Sequence, residues 1–183
     1  MKKSMFVISG ITLVLTFVFF GLFVGQKQSV FLTLGVTSMT ICYHFTVRMA
    51  IGTVCDFIMK NKVDYSRSWF SEKSFEKSLY KKLKVKCWKD FLPTFRGEYF
   101  SLKQHSIEEV LGAGCQAEII HWLCIAASLL AMLFAIPFGS FGIFCATSVI
   151  GSLADLVYVI IQRYNRPRLI RASKRYSKTK DNI

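Results

Sequence analysis

The sequence predicts an all-α integral membrane protein, a four-helix transmembrane bundle built from two hairpins with an amphipathic segment between them. Three observations carry that expectation. First, 52% of the 183 residues are hydrophobic and mean hydropathy is +0.39, whereas soluble domains seldom average out apolar. Second, apolar runs alternate with basic stretches, so the net charge of +13 is concentrated rather than spread. Third, four apolar runs approach or reach the roughly twenty residues needed to cross a hydrocarbon core about 30 Å thick. The same segregation excludes a disordered chain, a soluble nucleic-acid binder and an ordinary cytosolic enzyme.

The first span covers about residues 5–24 and carries no charge. The second, about 30–58, is uncharged to Val47 and then carries Arg48 and Asp56. The third and fourth cover about 119–138 and 141–161. Very short turns, Gly25–Ser29 and Pro137–Ser140, close the hairpins. All belong to one membrane domain, 1–183, completed by an interfacial segment over about 60–117 and a basic tail over 163–183. Lysine and arginine placement sets the expected orientation. Lys2 and Lys3 precede the first span, the central segment carries twelve Lys/Arg against seven Asp/Glu, and the tail carries eight against one. The opposite turns carry Lys27 alone. Both termini and the central segment are therefore expected on the cytoplasmic side of the cell membrane. The first span also reads as a signal peptide, with Lys2–Lys3, an apolar run and small residues at Gly21 and Gly25. Its length, and the charge pattern of the rest, favour a retained span.

The central segment is poor in Gly and Pro and rich in aromatics, including Trp69, Phe70, Trp88, Phe91 and Phe95. Between Ser74 and Lys86, Phe75, Leu79 and Leu83 recur at i, i+4 and i+8 among lysines, which predicts an amphipathic helix of interfacial composition. Two readings stand side by side: a basic face drawn to anionic lipid, and a flap covering a site. The six cysteines form no C-x-x-C pair, and most lie in or beside apolar runs, as reduced structural cysteines do.

Ionisable groups in an apolar span are functional-site candidates. Glu118, His121 and Trp122 form an E-x-x-H-W sequence in which i and i+3 share a helical face. A solvent-facing pair at a helix start reads the same way. The fourth span ends in Gln162-Arg163-Tyr164-Asn165-Arg166-Pro167-Arg168, either a positive-inside anchor with a proline stop or part of a site. With the hairpin tip near Gly139, facing residues have numbers summing to about 280, which sets Glu118 level with Gln162. His44 and Arg48 share a face of the second span and are expected at the same inner boundary. Asp155 lies two turns deeper than Arg163, about 12 Å at helical rise, and is expected to be either partnered with a polar neighbour for packing or protonated, a direct chemical role being the lesser reading. His44, Arg48, Glu118, His121, Arg163, Asn165 and Arg166 together suit acyl transfer: a base, a carboxylate to orient it, and donors for an oxyanion or phosphates. No H-x-x-x-x-D, G-x-S-x-G, P-loop or H-E-x-x-H motif occurs, and no metal or resident cofactor is expected.

At these residues the sequence resembles the small membrane family of glycosyl-4,4'-diaponeurosporenoate acyltransferases of staphyloxanthin-type carotenoid synthesis. Ala117-Glu118-Ile119-Ile120-His121-Trp122 resembles the family's AE-hydrophobic-x-HW segment. Gln162-Arg163-Tyr164-Asn165-Arg166-Pro167-Arg168-Leu169 resembles its QRYNRPRL signature. Lys86-Cys87-Trp88-Lys89-Asp90 with Leu92-Pro93 resembles its KKWKD-x-LP segment, after an F-E-x-x-x-Y stretch matched by Phe75-Glu76 and Tyr80. Order and spacing fit over roughly 65–175. The resemblance implies transfer of a fatty acyl group to a sugar hydroxyl of a glycosylated carotenoid acid.

The reading that follows is a membrane acyltransferase working at the cytoplasmic boundary. Its donor is an acyl-CoA or acyl-carrier protein, its acceptor a hydroxyl of a membrane glycolipid, and its surroundings an anionic lipid surface. His121 is the expected base, held by Glu118, and Asn165 polarises the thioester carbonyl. Arg163 and Arg166 bind donor phosphate, with Gln162, Tyr164, Arg168, His44, Arg48 and Trp122 also lining the substrate site. Trp88 and Lys89 close it. The alternatives are another lipid transferase, such as a methyltransferase, and a non-catalytic assembly or immunity protein whose polar residues only pack the bundle.

Overall fold

Long apolar runs without internal proline form helices because a helix satisfies every backbone group within its own segment, which lipid cannot do for it. The computed structural model describes residues 2–92 and 97–180, with side chains over 3–92 and 97–175. Pro93 and Phe95 of the aromatic segment, and the end of the basic tail from 181, lie outside the described residues. Helix α1 spans Lys2–Gln26 and α2 spans Ser29–Met59. Two short helices follow, α3 over Glu76–Lys82 and α4 over Val85–Trp88. Helix α5 runs Ile107–Leu130 and continues through a 3₁₀ stretch, Ala131–Phe134, into α6, Ala135–Phe138. Helix α7 covers Phe141–Lys180. Among the described residues, four helices are long and apolar enough to cross a membrane: Lys3–Gln26, Ser29–Met59, Ile107–Phe138 and Phe141–Arg175. The fold is thus all-α and of membrane type, as the sequence predicts.

Two boundaries differ from the hydropathy reading. The third span begins at 107, not 119, because Ser106 caps it. The Glu109 backbone N–H donates to Ser106 Oγ at 3.2 Å, and the Ser106 N–H donates to Glu109 Oε2 at 2.9 Å, a reciprocal capping box. The fourth helix passes through Pro167 instead of stopping there. A proline deletes one donor and crowds the carbonyl four residues back, yet contacts on both sides hold the helix. Arg168 Nη1 donates to the Tyr164 carbonyl at 2.5 Å, and Ser173 Oγ donates to Glu108 Oε1 at 2.7 Å. The predicted amphipathic helix is also split: α3 ends at Lys82, and Lys84 takes a left-handed conformation (φ 49°) that starts α4 in a new direction. At the tip before α7, Gly139 has φ 67° and ψ −146°, a region that only glycine enters without strain.

The chain divides into two compact units. The first runs to Thr53 and includes Leu123–Asp155. Within it α1 and α2 meet through Ser9 Oγ and Thr46 Oγ1 at 2.8 Å, and Tyr43 Oη donates to the Ala127 carbonyl at 3.0 Å. The second runs from Val54 to Trp122 and resumes at Leu156. There the buried Gln116 amide ties α5 to the end of α2: its Oε1 accepts from the Asn61 N–H and its Nε2 donates to Asp56 Oδ1, both at 2.7 Å. Gly112 permits that approach, since a Cβ there would stand 2.6 Å from the Asn61 carbonyl oxygen. Tyr80, Val85 and Tyr164 form a buried cluster against which Trp88 and Ile160 pack.

Candidate functional site

In the second unit, one face of α5 meets one face of α7 in the expected register. His121 stacks flat on Tyr158, with centroids 4.9 Å apart and planes 8° from parallel. One turn before it, Glu118 meets Arg163 and Arg166, and one turn further Gln162 Oε1 lies 3.3 Å from where a Cβ of Gly114 would stand. Gly114, Glu118 and His121 are spaced i, i+4 and i+7, a single stripe about 10 Å long.

Glu118 is fully buried, and both its oxygens accept from guanidinium groups. Arg163 Nη1 donates to Oε1 at 2.7 Å, and Arg166 Nη2 donates to Oε2. Arg163 reaches in the other direction as well. Its Nε and Nη2 donate to Glu76 Oε1 at 2.8 and 2.6 Å, and the same guanidinium donates to the carbonyls of Trp69 and Ser71. Arg166, 3% exposed, donates to the Phe70 carbonyl at 3.1 Å and lies 4.7 Å over the Phe70 ring. Tyr80 Oη donates to Glu76 Oε2 at 2.9 Å. Burial and the neighbouring Glu76 carboxylate push the Tyr80 phenol well above its usual range. Two carboxylates and two guanidiniums thus form a charge-balanced chain, Glu76–Arg163–Glu118–Arg166, which clamps residues 69–71 and α3 onto α5 and α7. Charges so buried persist only when paired and hydrogen-bonded.

This geometry revises several expectations. Glu118 was expected to orient His121; both its oxygens instead serve the arginines. Arg163 and Arg166 are expected to grip donor phosphates; Arg163 instead makes five bonds to protein acceptors, while Arg166 gives one bond from Nη1 to Phe70 and one from Nη2 to Glu118, its Nε being a buried N–H without a partner. His44 and Arg48 belong to the other unit. Arg48 Nη2 pairs with Asp155 Oδ2 at 2.6 Å and donates to Ser128 Oγ at 3.1 Å, and Ser128 Oγ lies 3.4 Å from His44 Nδ1. Depth arithmetic set Arg48 level with Arg163, but its ion pair is with Asp155, two turns along the helix. Trp88 donates its indole N–H to the Leu83 carbonyl at 2.8 Å, and Lys89 pairs with Asp90 at 2.6 Å. Trp122 meets Trp69 edge-on at 6.5 Å. Glu76 and Tyr80 were not singled out as site residues. Their signal was present: in a lysine-rich helix they form an i, i+4 pair off the Phe75–Leu79–Leu83 stripe.

Beside the network a cavity of about 210 Å³ is lined by Gln162, Asn165, Arg166 and Arg168 on its polar side. Phe100, Leu102, Val110, Leu111 and Leu169 give it apolar walls. Amide groups facing apolar walls suit a ligand whose polar reacting group carries an aliphatic chain. Among the described residues, no three His, Cys, Asp or Glu side chains gather to hold a metal ion.

Four helices able to cross a membrane and an amide-lined, apolar-walled cavity define the class at its coarsest, an integral membrane protein with room for a lipid-like ligand. The comparison with known families is narrower. Residues 66–175, more than half of the chain, match the family described as glycosyl-4,4'-diaponeurosporenoate acyltransferase, and the chain belongs to that family. It is an acyltransferase. No curated protein and no solved structure matches it.

Proposed function

We propose that the protein moves a fatty acyl group from a thioester donor to a sugar hydroxyl of a membrane glycolipid, a glycosylated carotenoid acid being the acceptor that the family's description names. The observation that carries this reading is the cavity of Gln162 and Asn165 between apolar walls, on the same α5–α7 seam as His121. In this reading His121 takes the proton from the attacking hydroxyl. Asn165 and Gln162 donate to the thioester oxygen as it gains charge. The oxygen–acyl bond forms as the carbon–sulfur bond breaks, and the proton leaves with the thiol. Glu118, Arg163 and Arg166 act as positioning residues that hold the 69–71 turn and the α5–α7 register. The excess of basic residues in the central segment and tail supports a cytoplasmic site and cytoplasmic termini. The exposed faces of Phe75, Leu79 and Leu83 support contact of α3 with the lipid interface.

Lipid mass spectrometry of a strain lacking the gene, complemented with wild type or His121→Ala, tests the reading. Wild type should convert the glycosyl ester to its acylated form. His121→Ala should leave the precursor, because losing a general base costs about 10²–10⁴ in rate. Full acylation by His121→Ala protein would remove His121 as the base.

A further inference from the structure

A second cavity, of about 450 Å³, opens in the same unit between α3–α4 and α7. Its lining is strongly one-signed. Lys77, Lys81, Lys84 and Lys86 reach it from the short helices, and Arg168 and Arg171 from α7, against a single acid, Glu72. That acid stands 3.7 Å from Lys77. Buried Val85, anchored between Tyr80 and Tyr164, and the left-handed turn at Lys84 set these lysines around one concavity. Tyr80 and Tyr164 line it too, and Arg168 lies 3.5 Å over the Tyr164 ring.

Six cations against one acid in a concave site form a field that concentrates polyanions. Both the volume and the shape suit a small molecule. We infer that this cavity binds the phosphate-bearing nucleotide end of an acyl-coenzyme A donor, whose 3'-phosphate and diphosphate together carry roughly four negative charges. The inference rests on the acyl-transfer reading and adds where the donor is held. Arg168 lines both this cavity and the smaller one beside Asn165, so the two adjoin at one side chain, and the thioester arm of a nucleotide held here would have the amide-lined site next to it. It also explains how the donor is recognised when Arg163 and Arg166 are committed to Glu76 and Glu118.

Cys87 lines this cavity and is exposed, while the other five cysteines are buried or half-buried, so its alkylation reports occupancy. Full-length protein in phosphatidylcholine nanodiscs is treated with iodoacetamide, and the Cys87 rate with ligand is divided by the rate without. S-ethyl coenzyme A should protect Cys87, and S-ethyl pantetheine, which lacks the phosphates, should not. In Lys81→Gln/Lys84→Gln/Arg171→Gln protein the half-protecting concentration should rise roughly tenfold or more, since each lost charge-assisted contact weakens binding. The control Lys103→Gln/Lys174→Gln, at exposed lysines lining neither cavity, should behave as wild type. Protection by the pantetheine analogue, or unchanged protection in the triple variant, overturns the inference. Protection by short-chain phosphatidylglycerol at lower concentration than by the coenzyme A analogue also overturns it, and assigns the cavity to a lipid headgroup. Turnover with acyl-CoA on the same preparation separates the two ideas. Transfer without phosphate-dependent protection refutes the cavity alone, and protection without transfer from acyl-CoA or acyl-carrier protein refutes the acyl-transfer reading alone.

Discussion

Replacing Glu118 by Met tests whether the buried charge chain is the keystone of the second unit. In the wild type the fully buried carboxylate neutralises Arg166 and shares Arg163 with Glu76. Without it Arg163 keeps Glu76, but Arg166 is left with uncharged partners, among them the Phe70 carbonyl and ring. An uncompensated buried charge costs about 3–5 kcal/mol, or roughly 6–20 °C in Tm for a chain of this size. Arg166→Met is milder, because Glu118 retains Arg163 and only one charge-assisted bond goes, about 1.5–3 kcal/mol. In Glu118→Met/Arg166→Met the orphaned guanidinium disappears along with its carboxylate, and the balanced Glu76–Arg163 pair remains. The double variant should therefore be more stable than the sum of the singles implies, by about 1–3 kcal/mol. Unfolding of the four proteins in mixed micelles, followed by circular dichroism, gives the cycle. Glu118→Met within about 1 kcal/mol of wild type, or strict additivity in the cycle, would refute the argument.

Arg48→Met removes the guanidinium paired with the buried Asp155 carboxylate, whose side chain is 6% exposed, and should destabilise the protein in the same unfolding assay, with Arg48→Met/Asp155→Leu less destabilised than the sum of the two single variants. Tyr80 bears on pH. Its phenol titrates above the usual value near 10 because of burial and Glu76. Its raised folded-state pKa contributes stability that is fully present below the unfolded value and lost as pH rises through the folded one. Tyr80→Phe should remove that alkaline loss while leaving the acid limb of the unfolding profile in place; identical alkaline limbs for the two proteins would contradict the assignment.

The four apolar runs, the short turns and the segregated basic residues determine a helical membrane protein from sequence alone. Backbone groups in lipid have no partner but their own helix, so composition dictates the element. The register of the second hairpin is equally local: with a tip at Gly139, helical geometry fixes which residues of α5 and α7 face one another, and His121–Tyr158 and Glu118–Arg163 follow. The start of α5 was legible too, but in the Ser106/Glu109 capping box rather than in hydropathy, because a cap is a pattern of four residues and hydropathy averages over a whole turn or more. The partners of the charges were not legible. A guanidinium has five donors, and sequence does not say whether they meet a ligand or a carboxylate. Only the tertiary fold, by carrying Glu76 and the carbonyls of 69–71 against α7, committed Arg163 and Arg166 to the protein and gathered the α3–α4 lysines with Arg168 and Arg171 around an open cavity. These contacts join residues 45 to 96 positions apart, and no local rule of spacing encodes which of several arginines a distant carboxylate will meet.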